Sequence, residues 1–312
     1  MSVDPEVRLL LDQVEQLGRP SLSEMSPEEA REVVAAAWVA RPPGAAVARI
    51  EDVAIEFASG SVAGRIYYPV TDPPAAGLPV LVWLHGGGWV VGSIEGADPT
   101  ARELAVGSGV AVLSVEYPLA PEHPFPEALD CCHGVLRWLT TSADRHGLDP
   151  TRIAVGGDSA GGNLAAAVAL LARDRNDVDI AFQLLVYPAT DLTLAHPSVH
   201  ENGDGYLLTE NVLRWCTAHY VSGGTPRTNP YVSPLHAADL SALPPALVIT
   251  AQFDPLRDEG EEYAQRMANA GVRVTLRRYP GQIHTFFELT TILSGARDAM
   301  YEATAALRAA LG

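Results

Sequence analysis

Gly157-Asp158-Ser159-Ala160-Gly161 lies between a short apolar run, Arg152-Ile153-Ala154-Val155-Gly156, and an Ala/Leu-rich stretch from Gly162 to Leu171. The first flank favours a strand and the second a helix. Strand, glycine-bounded turn and helix, in that order, predict a sharp elbow that pushes the Ser159 hydroxyl outward. Gly157, Ala160 and Gly161 are small enough for strand and helix to approach closely. Ser159 is therefore a candidate nucleophile, although an ordinary Gly/Ser loop would also account for the pentapeptide taken alone.

A second motif strengthens the reading. Leu81-Val82-Trp83-Leu84 reads as a buried strand and runs straight into His85-Gly86-Gly87-Gly88-Trp89. Consecutive glycines can turn their amides outward with no side chain in the way, which is what an oxyanion needs. Gly86 and Gly87 are the expected donors. The Ala160 amide, next to the serine and opening the elbow helix, is the third. A phosphate-cradling loop is the alternative, but no Lys-Ser or Lys-Thr follows and the chain contains no lysine.

A nucleophilic serine needs a base, and the base an orienting acid. The order expected for this architecture is serine, acid, histidine. His284 is the expected base: it follows Tyr279-Pro280-Gly281-Gln282-Ile283, read as a Pro/Gly loop after the strand Val272 to Leu276. Loops at the carboxyl ends of strands are where α/β sheets place their sites. His85 is expected to support the glycine loop instead, and the remaining histidines to have surface or hydrogen-bonding roles. The strand Ala246 to Ala251 leads into Gln252-Phe253-Asp254-Pro255-Leu256-Arg257-Asp258-Glu259. Asp254 comes first after it and is the expected acid, with a helix N-cap as its plainer reading and Asp258 as the alternative. Asp158 is expected to hydrogen-bond locally.

The chain resembles the hormone-sensitive-lipase-like branch of the α/β-hydrolases, the carboxylesterases with H-G-G-G and G-D-S-A-G motifs. The likeness extends through Tyr117-Pro118-Leu119-Ala120-Pro121-Glu122-His123-Pro124-Phe125-Pro126, Asp254 to Glu259 and Gly281 to Phe286, and covers most of residues 50 to 312. Pro118 stands where the family often has Arg, and Thr285 where Gly commonly follows the histidine. Neither departure removes a catalytic group. The resemblance implies an α/β-hydrolase fold, a mostly parallel central sheet flanked by helices. It also implies a helical cap, built from about residues 1–45 and an insertion at about 191–240.

The rest of the sequence agrees. Strand-like runs at 81–84, 110–115, 153–155, 184–187, 247–250 and 272–276 alternate with helical ones, as a mostly parallel sheet requires. Two helices are expected within 1–45, opened by Pro5 and by Ser26-Pro27-Glu28-Glu29, followed by a hairpin of Ile50–Phe57 and Val62–Tyr68 split at Ser59-Gly60. Leu9, Leu10, Trp38, Tyr206, Leu207, Leu208 and Trp215 are candidates for the wall of an apolar pocket.

The net charge of −17 argues against nucleic-acid or anionic-membrane partners. Three cysteines make neither a disulfide framework nor a zinc site. Acids in Met1 to Glu6, and no apolar core after them, give no secretory signal and point to the cytoplasm. The expectation is a serine carboxylesterase that takes soluble short- to medium-chain esters through an acyl-enzyme, with no metal or organic cofactor. The sequence is compatible with a homo-oligomer. An amidase with the same residues, or a non-catalytic receptor on the same fold, are the rival readings.

Overall fold

The computed structural model describes residues 2–39, 42–57 and 60–312. Two helices come first, α1 (Pro5–Leu17) and α2 (Pro27–Val39). Their starts follow from side-chain chemistry. The Asp4 carboxylate accepts the Glu6 amide at 3.2 Å with Pro5 in the first turn. Glu29 reaches back to accept the Ser26 amide at 2.8 Å while Ser26 Oγ accepts that of Glu29.

Strands β1 (Arg49–Phe57) and β2 (Gly60–Tyr68) pair antiparallel from end to end. Of the turn expected between them, Ser59 lies outside the described residues. Then β3 (Leu78–Leu84), α3 (Ile94–Ser108), β4 (Ala111–Val115), α4 (Glu127–Ser142), β5 (Leu148–Asp158), α5 (Ala160–Arg175) and β6 (Phe182–Val186) alternate. Two helices interrupt the pattern, α6 (Pro197–Glu201) and α7 (Glu210–Tyr220). The alternation resumes with β7 (Ala246–Phe253), α8 (Arg257–Asn269), β8 (Val274–Ile283) and α9 (Ser294–Leu311).

The eight strands form one sheet in the order β1-β2-β4-β3-β5-β6-β7-β8. The β1–β2 and β2–β4 pairs are antiparallel, and every other pair is parallel. Along β3 the side chains alternate, Val80, Val82 and Leu84 to one face and Leu81 and Trp83 to the other. Helices α4, α5 and α8 cover the first face. Helices α3 and α9, with Val7 and Leu11 of α1, cover the second. Covering on both faces is why the central strands read as unbroken apolar runs.

One expectation is corrected. Tyr279-Pro280-Gly281 is not a loop, because β8 starts two residues later than expected and continues to Ile283, paired with β7. As an edge strand, β8 tolerates a proline that has no N–H to donate. Gly281, at φ 73°, lies where the register shifts between Ala251 and Phe253, and its amide donates to the Gln252 side chain at 2.8 Å. No helix among the described residues is long and apolar enough to cross a membrane.

Candidate active site

Four strand ends converge. β3 ends at the glycine loop, β5 at Ser159, β7 just before Asp254 and β8 just before His284, so the site sits at the carboxyl edge of the parallel strands. Ser159 occupies the elbow at φ 55° and ψ −116°, a strained conformation for a residue with a side chain. Neighbouring contacts hold it there. Its amide donates to Val186 O at 2.9 Å, and its carbonyl accepts the Asn163 amide at 2.9 Å. A Cβ on Gly161 would lie 1.9 Å from Leu84 O, and one on Gly157 2.4 Å from the same oxygen, so the turn closes only with glycine at both positions.

Ser159 Oγ lies 2.9 Å from His284 Nε2, and His284 Nδ1 lies 2.8 Å from Asp254 Oδ2. Asp254 is fully buried and His284 nearly so. The carboxylate only accepts, so Nδ1 carries the proton and Nε2 presents a lone pair to the serine hydroxyl. The second oxygen of Asp254 accepts the Leu256 amide at 2.8 Å, just ahead of α8. Asp254 thus bonds His284 with one oxygen and closes a turn ahead of α8 with the other; the N-cap position of α8 itself is Leu256, not Asp254. Asp258 is held elsewhere: its carboxylate accepts the Ser198 amide at 2.9 Å and pairs with Arg257 at 2.7 Å.

The glycine loop departs from expectation at one residue. Gly86 donates its amide to Asp158 Oδ1 at 2.9 Å, so it is not available to a substrate. The amides of Gly87, Gly88 and Ala160 have no protein acceptor among the described residues. A run of three glycines announces the loop, but nothing in the sequence tells which amides turn inward. Gly87 and Gly88 have φ of 120° and 60°, and a Cβ on Gly88 would lie 2.2 Å from Cys216 Sγ of α7. His85 stands behind the loop as expected. Its Nδ1 bonds Gly86 O at 2.8 Å, its ring stacks on Tyr117 at 4.2 Å, and the Tyr117 hydroxyl donates to His85 O at 2.7 Å. Burial pushes the His85 imidazole down to about 4. Burial and the Glu288 carboxyl together raise Asp158 well above the usual carboxylate range.

A cavity of about 890 Å³ opens over Ser159 and His284. Trp38, Leu207, Leu208 and Trp215 line it as expected, joined by Leu11, Val14, Val34 and Val212. Leu9 is instead 65% exposed, while Leu10 is half-buried against the core and Tyr206 stacks on Phe253 at 5.1 Å. Residues from α1, α2 and the segment between β6 and β7 thus share the wall with the glycine loop. Helix α2 is tied to that loop through Arg31, whose guanidinium donates to Val90 O and Ala120 O, both at 2.8 Å, and pairs with Glu122. Sequence reasoning missed Glu288 on the cavity wall and the fully buried Glu259, which accepts the Thr190 and Asp191 amides at 2.7 and 3.1 Å. An acid in a first helical turn carries no signal that separates these roles from simple dipole compensation.

Known proteins agree with this architecture. Residues 81–288 match a family model described as the alpha/beta hydrolase fold. A carboxylesterase of Mycobacterium tuberculosis, NlhH, is 44% identical over 252 residues, covering 79% of this chain and 78% of its own. An arylesterase of Saccharolobus solfataricus is 37% identical over 287 residues, 92% of each chain. Among solved structures, a hyperthermophilic esterase from the archaeon Pyrobaculum calidifontis superposes with a TM-score of 0.92 at 39% identity, covering 99% of both chains. The chain belongs to the α/β-hydrolase family, in the hormone-sensitive-lipase-like branch that its motifs resemble.

Proposed function

We propose that this chain is a carboxylic ester hydrolase working through an acyl-enzyme. The observation that carries the reading is the hydrogen-bonded line Ser159–His284–Asp254 at the base of an apolar-walled cavity. The esterase names of its relatives support it. Ser159 Oγ attacks the ester carbonyl as His284 Nε2 takes its proton. Asp254 keeps the imidazole in the tautomer that can accept, then stabilises the imidazolium. The oxyanion develops against the Gly87, Gly88 and Ala160 amides, dipoles fixed before the reaction begins. His284 returns the proton to the departing alcohol, and water repeats the sequence to release the acid.

Helices α1 and α2 with residues 191–240 serve as a cap that excludes water and strengthens those dipoles. Short- to medium-chain monomeric esters are the substrates this cavity suits. Ser159→Ala should fold normally and lower kcat by about 10⁶-fold on a chromogenic ester. A variant that keeps a tenth of the activity, or an organophosphate label mapping to another serine, would overturn the assignment.

A further inference from the structure

The glycine loop is held at both ends. Asp158 accepts the Gly86 amide at 2.9 Å, and Arg31 donates to Val90 O at 2.8 Å. Between them lie Gly88 and Trp89, at φ 60° and 62°. The left-handed region favours glycine, and for a residue as bulky as tryptophan it costs free energy that neighbours must offset. Those neighbours come from α7. Its Val212, Cys216 and Tyr220 stand four residues apart and so form one row on one face. Val212 and Cys216 line the cavity over Ser159. Cys216 also packs on the loop: a Cβ on Gly88 would lie 2.2 Å from its Sγ and 2.9 Å from its Cβ. One turn on, the Tyr220 ring stacks on Trp89 with centroids 4.4 Å apart and planes 4° from parallel.

Both rings are buried, and neither Trp89 Nε1 nor the Tyr220 hydroxyl has a hydrogen-bond partner among the described residues. Stacking rather than hydrogen bonding therefore sets their register. The backbone on each side is anchored. Trp89 O accepts the Ala120 amide and Tyr220 O the Phe125 amide, both at 2.8 Å, and the Phe125 ring meets Tyr220 edge-on at 6.0 Å.

We propose that Cys216 and Tyr220 of α7 are positioning residues that hold the Gly87 and Gly88 amides in place for the oxyanion. The inference rests on the esterase reading above. They act through the backbone of Gly88 and Trp89 rather than on the ester itself. A helix that only walled the pocket would change how tightly substrates bind. One that sets the loop changes stabilisation of the transition state, and hence kcat.

The test measures kcat and KM on one soluble acetate ester for Cys216→Val, Tyr220→Leu and Tyr220→Phe, with folding checked by circular dichroism. Cys216→Val adds a second branch beside Gly88, and Tyr220→Leu takes the ring from under Trp89. Each should lower kcat by about tenfold to a hundredfold, the cost of a donor misplaced by up to about 1 Å, with KM within about threefold of the parent. Tyr220→Phe keeps the ring and loses only an unpartnered hydroxyl, so it should recover most of the loss. Affinity for a trifluoromethyl ketone, which gains an oxyanion when Ser159 adds to it, should fall by the same factor as kcat. The pH at which kcat/KM rises reports His284 and should not move. Backbone hydrogen exchange gives a readout independent of turnover: the amides of residues 87–91 should exchange faster in Cys216→Val and Tyr220→Leu than in the parent and Tyr220→Phe.

A rise in KM with kcat unchanged would overturn the proposal and leave α7 as a wall. So would a Tyr220→Phe enzyme as impaired as Tyr220→Leu, or loop exchange unaltered in both damaging variants. Where Tyr220→Leu does not fold, Cys216→Val decides by the same measures. Failure of the esterase reading is a different result, because it appears as activity retained in Ser159→Ala while the exchange pattern is unaffected.

Discussion

Asp254 divides its two oxygens between His284 Nδ1 at 2.8 Å and the Leu256 amide at 2.8 Å, and that division fixes what each substitution should do. Asp254→Asn keeps an acceptor but can present an N–H to the imidazole, which favours the wrong tautomer. The expected cost is about 10⁴-fold in kcat with folding intact. Asp258→Asn disturbs the Ser198 and Arg257 contacts and should cost stability rather than turnover. An Asp258→Asn enzyme without activity would move the acid to that residue. His85 yields a prediction of the opposite kind. Its imidazole is buried, with Nε2 unpaired, and its proton affinity is pushed down to about 4 against an ordinary 6.5. The unfolded chain therefore binds the extra proton first, so the contribution is present above pH 6.5 and is lost as pH falls toward 4, by about 3 kcal/mol. The urea midpoint should accordingly be lower at the acid end of that window than at its neutral end. An equal drop in His85→Asn would show that other groups set the acid sensitivity. At this scale the residues that bond each other through side chains are legible in the sequence, each from its own motif. Which of three glycine amides faces inward depends on Asp158 reaching Gly86 across 72 positions, and no local pattern carries that.

Elements were legible wherever composition is periodic or a cap is local. Asp4-Pro5 and Ser26 to Glu29 mark the starts of α1 and α2 because the capping groups lie within three residues of the amides they satisfy. β8 was misread because proline and glycine signal a loop in any short window. What keeps 279–283 in the sheet is pairing with β7, about 30 residues away, and the edge position that excuses Pro280. The placement of α2 is likewise non-local. Arg31 donates to Val90 O and Ala120 O and pairs with Glu122, so one guanidinium links the N-terminal helices to the segment behind the glycine loop. Arg31→Ala should loosen α2 from the cavity wall and leave two carbonyls without this donor. A rise in KM for medium-chain esters of roughly tenfold is expected, the worth of about one charge-assisted bond, with a smaller change in kcat. If kcat falls and KM stays constant, Arg31 acts on the glycine loop rather than on the pocket wall.

For the whole molecule, the acidic net charge and the walled cavity bear on the same question of substrate form. A net charge of −17 repels anionic interfaces. The cavity over Ser159 is walled on its outer side by α1, α2 and α7, with Leu11, Trp38 and Trp215 among the side chains that any ester must pass or displace. A walled site of about 890 Å³ admits one monomeric ester and limits its acyl chain by depth, whereas a lipid droplet offers a surface that such a site cannot reach. Efficiency on a series of soluble esters should therefore be greatest for short and medium chains and fall beyond about ten carbons. Rate plotted against substrate concentration should pass smoothly through the solubility limit, since no element has to open onto an interface for the serine to be reached. A sharp rise in rate above that limit on emulsified long-chain triglyceride would mean that α1 and α2 swing away at an oil surface, and would make this chain a lipase.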